Sequence, residues 1–497
     1  MAVIPNPHQD WQATHMARWD IREADGQIYS GGWRSGGGGT QPVVSPGDGG
    51  KVGLAGIADQ HDVERAGARA AQAQAEWSRA SYRVRADVLT RAADALREIR
   101  ADVEDVLVRE SGSLPAKAKH EVDKAIDELI AAAGLVTMSQ GDLLPVEDPT
   151  TLGLARRIPV GVVGVIAPWN APLMLAMRSV APAIALGNAV LVKPDVKTAF
   201  SGGAVLAHIF EQAGLPDGVL HVLPGGAATG EAVVRSPHTN AISFTGSSAA
   251  GRRVGEIAGG LLKRVVLELG GNNAFIVLAD ADLDRAVAGG VGGTFRHQGQ
   301  ICMATGRHLV HESIADEYVE RLKAAAEKLR LGDPKAPGTT LGPLITTAQA
   351  ERVHGIVEAA VAGGARVVHG ATHDGAYYQP TILDGVTADN AAFRSEIFGP
   401  VAPVTRFSTE EEALELANAT EYGLSAAIHS RDVARALGFA SRLRAGMVAL
   451  NGQTIYDAAH IPMGGLGASG NGGRHGGHWN LDEFTYWQWV TVPTIQH

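Results

Sequence analysis

Apolar positions change their period twice along the chain. Over residues 62–112 Ala, Arg, Glu and Leu dominate, and Val84, Val88, Leu89, Ala92 and Leu96 recur at the spacing of one helix face, so this stretch is expected to be helical. A further helix is expected over 120–138, and residues 141–152 break the pattern. Beyond them, short and almost wholly apolar runs at 160–166, 189–192, 219–223, 241–244 and 265–269 alternate with helical stretches at 173–186, 198–213, 226–235 and 248–258. Buried strands with helices between them predict a parallel sheet with right-handed crossovers. Ligands of such sheets sit beyond the carboxyl ends of the strands.

A second α/β series follows. Helices are expected at 283–295, 317–329, 348–362, 410–417 and 432–443, and strands at 367–369, 401–406, 426–429 and 447–450. Residues 20–56 are rich in turn formers, with Gly36 to Gly39 the clearest loop, and no internal repeat stands out. The tail, 484–492, is aromatic and β-branched and reads as an edge strand that pairs with another subunit.

Composition narrows the class. A chain of 497 residues has room for two or three domains with ample core. Charged residues are 19% and hydrophobic residues 45%, which excludes disorder for the bulk of the chain. Forty-three Lys and Arg against 53 Asp and Glu give a net charge of −10, which argues against nucleic acid or an anionic membrane as partner. Cys302 is the single cysteine, so no disulfide within the chain and no cysteine-rich metal site is expected. The first eleven residues lack the basic-then-apolar layout of a secretory leader, and no apolar run has the length of a membrane span. The expected compartment is the cytoplasm, and no metal is expected.

The best formal nucleotide fingerprint is a decoy. Gly465-Leu466-Gly467-Ala468-Ser469-Gly470 fits G-x-G-x-x-G, but the glycine-rich 471–477 that follows cannot start the helix whose N-terminus would meet a pyrophosphate, so it reads as a loop. Gly246 to Gly251 fits G-x-x-x-x-G, yet Arg252-Arg253 stands where a phosphate loop needs Lys-Ser or Lys-Thr. Phe244-Thr245-Gly246-Ser247-Ser248 has the better position, between a predicted strand and helix. Its free amides can hold a pyrophosphate, or Ser247 or Ser248 can simply cap the helix.

Four other places carry chemistry. Cys302, in His297-Gln298-Gly299-Gln300-Ile301-Cys302-Met303, is either a small core residue or a nucleophile beside a permissive glycine. Glu268, ending a buried strand, is either an ion-paired carboxylate or a general base. Asn170, in Pro168-Trp169-Asn170-Ala171-Pro172, can cap the next helix with Pro172 in its first turn, or donate to a developing oxyanion. Lys193, before Pro194, is either a solvated lysine or a ligand contact.

Taken together, these segments resemble the aldehyde dehydrogenase superfamily over nearly the whole chain. The resemblance is carried by Pro168-Trp169-Asn170, Lys193-Pro194, Phe244-Thr245-Gly246-Ser247, Glu268-Leu269-Gly270-Gly271, Gly299-Gln300-Ile301-Cys302, Glu396-Ile397-Phe398-Gly399-Pro400 and Pro462-Met463-Gly464-Gly465. Met463 departs from the common phenylalanine, which should alter packing near the site. The resemblance implies an α/β fold with a Rossmann-type parallel-sheet cofactor domain (1–138 and 152–269). It adds an α/β catalytic domain (270–477) and a small β bridging and oligomerisation element (139–151 and 478–497), giving a homodimer or homotetramer.

It also implies roles. Cys302 resembles the nucleophile that attacks the aldehyde carbon, and Asn170 with the Cys302 amide resembles the oxyanion hole. Hydride transfer to the nicotinamide leaves a thioester, and Glu268 resembles the base that activates water for its hydrolysis. CoA-acylating members often lack that base, so a free acid is the expected product. The cofactor, NAD or NADP, is expected along Ile166, Ala167, Pro168, Trp169, Lys193, Asp195, Val196 and Gly226, then Phe244, Thr245, Gly246, Ser247, Leu269, Glu396 and Phe398. Strongly NAD-selective members carry a glutamate where this chain has Val196, so tolerance of NADP is expected.

The stretch from Pro168 to Arg178, with Lys193-Pro194-Asp195 and the segments 305–311 and 402–407, looks most like the benzaldehyde dehydrogenase branch. An aryl aldehyde is then the expected substrate, in a pocket of Ala171, Leu175, Arg178, Ile301, Met303 and Ile455. Asn170, Met174 and Arg178 share one helix face, so Arg178 either points into that tunnel or forms a structural ion pair. In the tunnel it would disfavour cationic substrates and attract carboxylate-bearing semialdehydes. The alternatives are a semialdehyde or broad-specificity enzyme and, in another class, a binding protein that has kept the fold.

Overall fold

The computed structural model describes residues 19–493, so residues 1–11, expected not to be a leader, lie outside it. Two seven-stranded sheets organise the chain. In the first, Arg264–Glu268, Ala241–Thr245, Val162–Ile166, Ala189–Lys193 and Leu220–Val222 lie side by side in that order, all parallel, and the hairpin of Gln27–Tyr29 and Trp33–Ser35 closes one edge antiparallel. Every residue of Val162–Ile166 and Ala189–Lys193 is buried, as expected of central strands covered by helices on both faces. The helical 62–112 is three helices, Gln60–Trp77, Tyr82–Glu98 and Arg100–Ser111, and Asp59 with Asp62 forms a capping box at the first of them. The turn-rich 20–56 also carries short strands, among them the Thr40–Val44 and Lys51–Gly56 pair.

The second sheet runs Arg366–His369, Thr381–Asp384, Val401–Phe407, Thr305–His311, Asn273–Val277, Ser425–His429, Met447–Leu450, with only its first pair antiparallel. Asn273–Val277, Thr305–His311 and Thr381–Asp384 are strands beyond those expected from the sequence. Asn273–Val277 starts too soon after Glu268 for a helix to intervene, so the strand–helix alternation hides it. Thr305–His311 hides behind Arg307 and His308, which are buried but satisfied: Arg307 donates to the carbonyls of Asn272, Leu416 and Ala417, and His308 bridges Thr294 and Tyr318.

A third, three-stranded sheet joins Thr485–Pro493, Thr151–Pro159 and Gly141–Leu144, all antiparallel. The tail is thus an edge strand, with Trp487 and Trp489 half exposed on one face. Thr151–Pro159 pairs within this small sheet and not within the first one, to which a boundary at 152 assigns it; its nine-residue register against the tail decides the matter. Among the described residues no helix is long and apolar enough to cross a membrane.

Candidate active site

Cys302 is presented by a strained turn. After the helix Leu283–Phe295 the chain passes through His297, Gln298 and Gly299 at φ +48°, +56° and +72°. A Cβ on Gly299 would collide with the carbonyl of Gly399, so glycine is required there. The turn drops Cys302 against the end of the first sheet. Its carbonyl accepts from Asn273 Nδ2 at 2.8 Å, and a Cβ on Gly271 would collide with that carbonyl.

Glu268 ends the strand Arg264–Glu268 and is 3% exposed, with no hydrogen-bond partner among the described residues for either carboxylate oxygen. Unpartnered oxygens at such depth are what a water-activating base requires and a structural ion pair does not show. Burial pushes its pKa well above the usual carboxylate range, against the opposing pull of Arg178 and Arg474. Burial, then Glu396 and Glu268, push the Cys302 thiol up to about 12. The charge of Glu268 therefore reaches the Cys302 sulfur and disfavours its thiolate.

Asn170 does not cap the helix that follows it. The N-cap of Pro172–Ala185 is Ala171, which has no side-chain cap bond. The Asn170 carboxamide instead donates from Nδ2 to the carbonyl of Gln300 at 2.9 Å, two residues before the cysteine. It keeps a second N–H for another acceptor.

Two cavities meet at Asn170, Leu175 and Cys302. The larger, about 250 Å³, opens over the carboxyl ends of the first sheet. Pro168, Trp169, Thr245 and Gly246 line it from one side, with Ser247, Leu269, Glu396 and Phe398 completing the wall. Phe398, itself at φ +54°, packs edge-on against Trp169 with ring centroids 5.5 Å apart. Glu396 Oε1 accepts from the Gly271 amide at 2.9 Å, and a side chain on Gly270 would collide with the same carboxylate. Burial lifts its pKa to about 7. Ser247 does cap Ser248–Gly260, accepting from Ala250 N at 3.3 Å, so the segment at 244–248 serves as cap and cavity wall together.

The remaining expected cofactor residues lie outside this cavity. Lys193 is buried rather than solvated, 8% exposed, and its ammonium donates to the Gly225 carbonyl at 3.1 Å. Gly230 leaves room beside it: a Cβ there would stand 3.7 Å from Lys193 Cδ and 3.8 Å from Ile166 Cδ1. Ala167 donates its amide to the Lys193 carbonyl, and Gly226 opens the helix Ala227–Arg235. Phe244 lies beneath Gly246, where a Cβ would approach its ring to 2.6 Å. Asp195 accepts from the Lys197 amide, and Val196 is buried in the core of the first sheet.

The smaller cavity, about 80 Å³, runs from Cys302 along the helix Pro172–Ala185. All six expected substrate residues line it: Ala171, Leu175, Arg178, Ile301, Met303 and Ile455. Met463 joins Met303 and Leu424 in the apolar cluster packed against Ile301 and Cys302, which is how the departure from phenylalanine reshapes the wall. Arg178 is 4% exposed and ion-paired: Nε donates to Glu128 at 3.3 Å and Nη2 to Asp457, while Nη1 has no partner among the described residues. Burial opposes its charge, but the two carboxylates outweigh it and hold its pKa above the usual value. Arg178 is therefore wall and ion pair at once. Arg178→Ala leaves Glu128 and Asp457 buried without a counter-charge, and should cost about 3–5 kcal/mol of folding stability, read by chemical denaturation.

Local sequence gave no sign of several neighbours. Gln349 and Arg352, on the helix Thr347–Ala362, reach the larger cavity and hold the Glu396 turn, donating to the carbonyls of Phe398, Ile397 and Glu396. His120, Lys124 and Arg296 stand along the smaller one. These residues look like ordinary solvated helix and loop positions until the fold brings them round. Among the described residues no cluster of metal-ligating side chains is present.

Comparison with known proteins places this geometry. Residues 33–490 match the model of the aldehyde dehydrogenase family. The chain is 50% identical to a benzaldehyde dehydrogenase [NAD(+)] of Pseudomonas putida over 467 residues, 94% of this chain and 96% of that one. It is 49% identical to a vanillin dehydrogenase of an Amycolatopsis species, covering 96% and 98% of the two chains. Among solved structures, a succinate-semialdehyde dehydrogenase from Burkholderia pseudomallei superposes with a TM-score of 0.92 at 36% identity, over 96% of this chain and all (100%) of that one. An E. coli NADP-dependent enzyme gives the same TM-score, 0.92, at 33% identity, over 95% and 99% of the two chains. A match of this length and identity, on a fold shared from end to end, makes the chain a member of the aldehyde dehydrogenase family and an aldehyde dehydrogenase.

Proposed function

We propose that this enzyme oxidises aryl aldehydes to free carboxylic acids with a nicotinamide dinucleotide, through an acyl group carried on Cys302. The observation that carries the proposal is the meeting, at one thiol, of an apolar tunnel and a larger crevice lined by both polar and apolar groups. Small Ala171 and the adaptable Met174, Met303 and Met463 suit a flat ring. The relatives named for benzaldehyde and vanillin support the same substrate class.

The crevice residues fit the dinucleotide. Glu396 Oε2 has no protein donor among the described residues and suits a ribose hydroxyl, and Gly246 and Gly270 line the same crevice. Lys193, Ile166 and the amides around Gly226 suit the adenosine end, and Trp169, Phe398 and Glu396 the nicotinamide end. Bound in this crevice, a nicotinamide dinucleotide would supply the hydride acceptor. The division of labour follows: the first sheet and its helices bind dinucleotide, and the second supplies the nucleophile.

The chain's own groups do the rest. The Cys302 thiol releases its proton to solvent as Sγ attacks the carbonyl carbon, and the charge that develops on oxygen is met by the free N–H of Asn170 Nδ2 and by the Cys302 amide. With the acyl group left on sulfur as a thioester, Glu268 takes a proton from water, the water oxygen attacks the acyl carbon, and the carbon–sulfur bond breaks. The acid leaves and the thiol is regenerated by the proton that Glu268 took up.

A semialdehyde substrate is the second reading, supported by a relative so named. The charge of the Arg178 guanidinium, however, is already balanced by Glu128 and Asp457, and only its Nη1 lacks a partner among the described residues. The decisive experiment is a panel of benzaldehyde, vanillin, succinic semialdehyde and betaine aldehyde with both dinucleotides, followed by reduced nicotinamide absorbance. Aryl aldehydes should give the highest kcat/KM; a preference for succinic semialdehyde would overturn the substrate assignment. With Val196 in place of a carboxylate, NADP should serve within about a hundredfold of NAD.

The small sheet is the assembly surface of this proposal. Trp487, Trp489 and Leu144 are exposed on one face of it and Leu143 on the other. Trp487→Glu together with Trp489→Glu should lower the mass measured by light scattering to that of a single chain. An unchanged mass would place the interface elsewhere.

A further inference from the structure

The helix Pro115–Leu135 presents a buried ion pair to the segment that carries Asn170. Lys117 and Glu121 lie one turn apart, their side chains 13% and 2% exposed, and Lys117 Nζ pairs with Glu121 Oε2. Lys117 Nζ also donates to the backbone carbonyl of Asn170 at 2.8 Å. Glu121 Oε1 accepts from the amide of Leu173 at 2.9 Å and from that of Met174 at 3.4 Å.

These bonds solve a local problem. The first amides of the helix Pro172–Ala185 need acceptors. Ala171, at the N-cap, has none to offer. The nearest side chain able to cap is Asn170, and capping would consume the carboxamide. Glu121 caps from a distance instead, and Lys117 ties down the carbonyl on the other side of the same short segment. The carboxamide is left to bridge to Gln300 and to face Cys302. Stability alone does not ask for charges here, since a buried ion pair seldom outperforms well-packed apolar side chains. Orientation does ask for them: displacing a catalytic group by about 1 Å costs on the order of a hundredfold in rate.

We infer that Lys117 and Glu121 are positioning residues for the oxyanion site, fixing the Asn170 carboxamide by holding its carbonyl and by capping the next helix in its place. The inference rests on the assignment of Asn170 as the oxyanion donor, and the test separates the two. Lys117→Met and Glu121→Gln are made in the natural chain and in Asn170→Ala, and the pre-steady-state burst of reduced dinucleotide is followed with benzaldehyde. In the natural chain each should slow the burst about tenfold to a hundredfold, with the dinucleotide dissociation constant unchanged, and Lys117→Arg should restore most of the rate. In the Asn170→Ala chain the same changes should cost little more. Equal losses in both backgrounds, or no loss in the natural chain while Asn170→Ala is severe, overturn the positioning role alone. An Asn170→Ala chain with a normal burst overturns the oxyanion assignment and the positioning role with it. Should Lys117→Met fail to fold, Lys117→Gln, which keeps a donor without the charge, takes its place under the same outcomes.

Discussion

Glu268→Gln should let the enzyme turn over once and then stall. Glutamine keeps the volume of the side chain but cannot take a proton from water, so attack by sulfur on the aldehyde proceeds and deacylation does not. The expected result is a burst of about one reduced dinucleotide per active site, then a steady rate lower by roughly 100–10,000-fold, the usual contribution of a positioned base. An acyl adduct on Cys302 should be visible in the intact mass. The pH dependence follows from the same burial. A carboxyl group held well above its ordinary pKa stays protonated, and useless as a base, until the pH passes that raised value. The deacylation-limited kcat of the natural enzyme should therefore rise toward alkaline pH, and Glu268→Gln should flatten that limb. The acylation rate should keep an alkaline limb of its own in both proteins, because the thiol is pushed up to about 12. A variant with undiminished steady-state turnover would remove Glu268 from the mechanism.

Asn170→Ala should fail at the opposite half of the reaction. Loss of one oxyanion donor typically lowers turnover by about 100–1,000-fold. Here the same carboxamide is also the tether to Gln300, so the cysteine turn loosens as well. The burst should slow in proportion to the steady rate, with no acyl adduct accumulating. The two variants thus give contrasting signatures, a stalled adduct for one and a slow first step for the other. A fast burst in Asn170→Ala would place the oxyanion donor elsewhere.

Much of this site was legible from single residues because each stands at a place where chain direction changes. Glu268 ends a strand, Asn170 lies between strand and helix, and Cys302 follows a run containing a glycine that a tight turn requires. The strands of the first sheet were equally legible, since burial on both faces leaves continuous apolar runs. What stayed hidden depended on partners distant in sequence. Lys117 and Glu121 have the spacing of a solvated helical ion pair, and only the packing of Pro172–Ala185 against their helix turns them inward. Asn170 looked equally suited to capping or to chemistry until Glu121 proved to be the cap. Arg307 and His308 masked a central strand because their satisfaction comes from carbonyls and hydroxyls on other elements.

The glycine-rich segment rejected as a nucleotide fingerprint has a different place in the life of the chain. Glu268 lies on the outermost strand of its sheet, and that open side is covered by Ser469, Gly470 and Asn471: Gly470 bridges Glu268, Ser469 accepts from Leu269, and Asn471, 204 residues downstream, bonds Leu267. A ribosome must therefore add the whole second half of the molecule before the edge that carries the base is sealed. A nascent chain halted earlier would expose bare strand groups to other nascent chains, and competence for turnover arrives only once residues 469–471 have been translated.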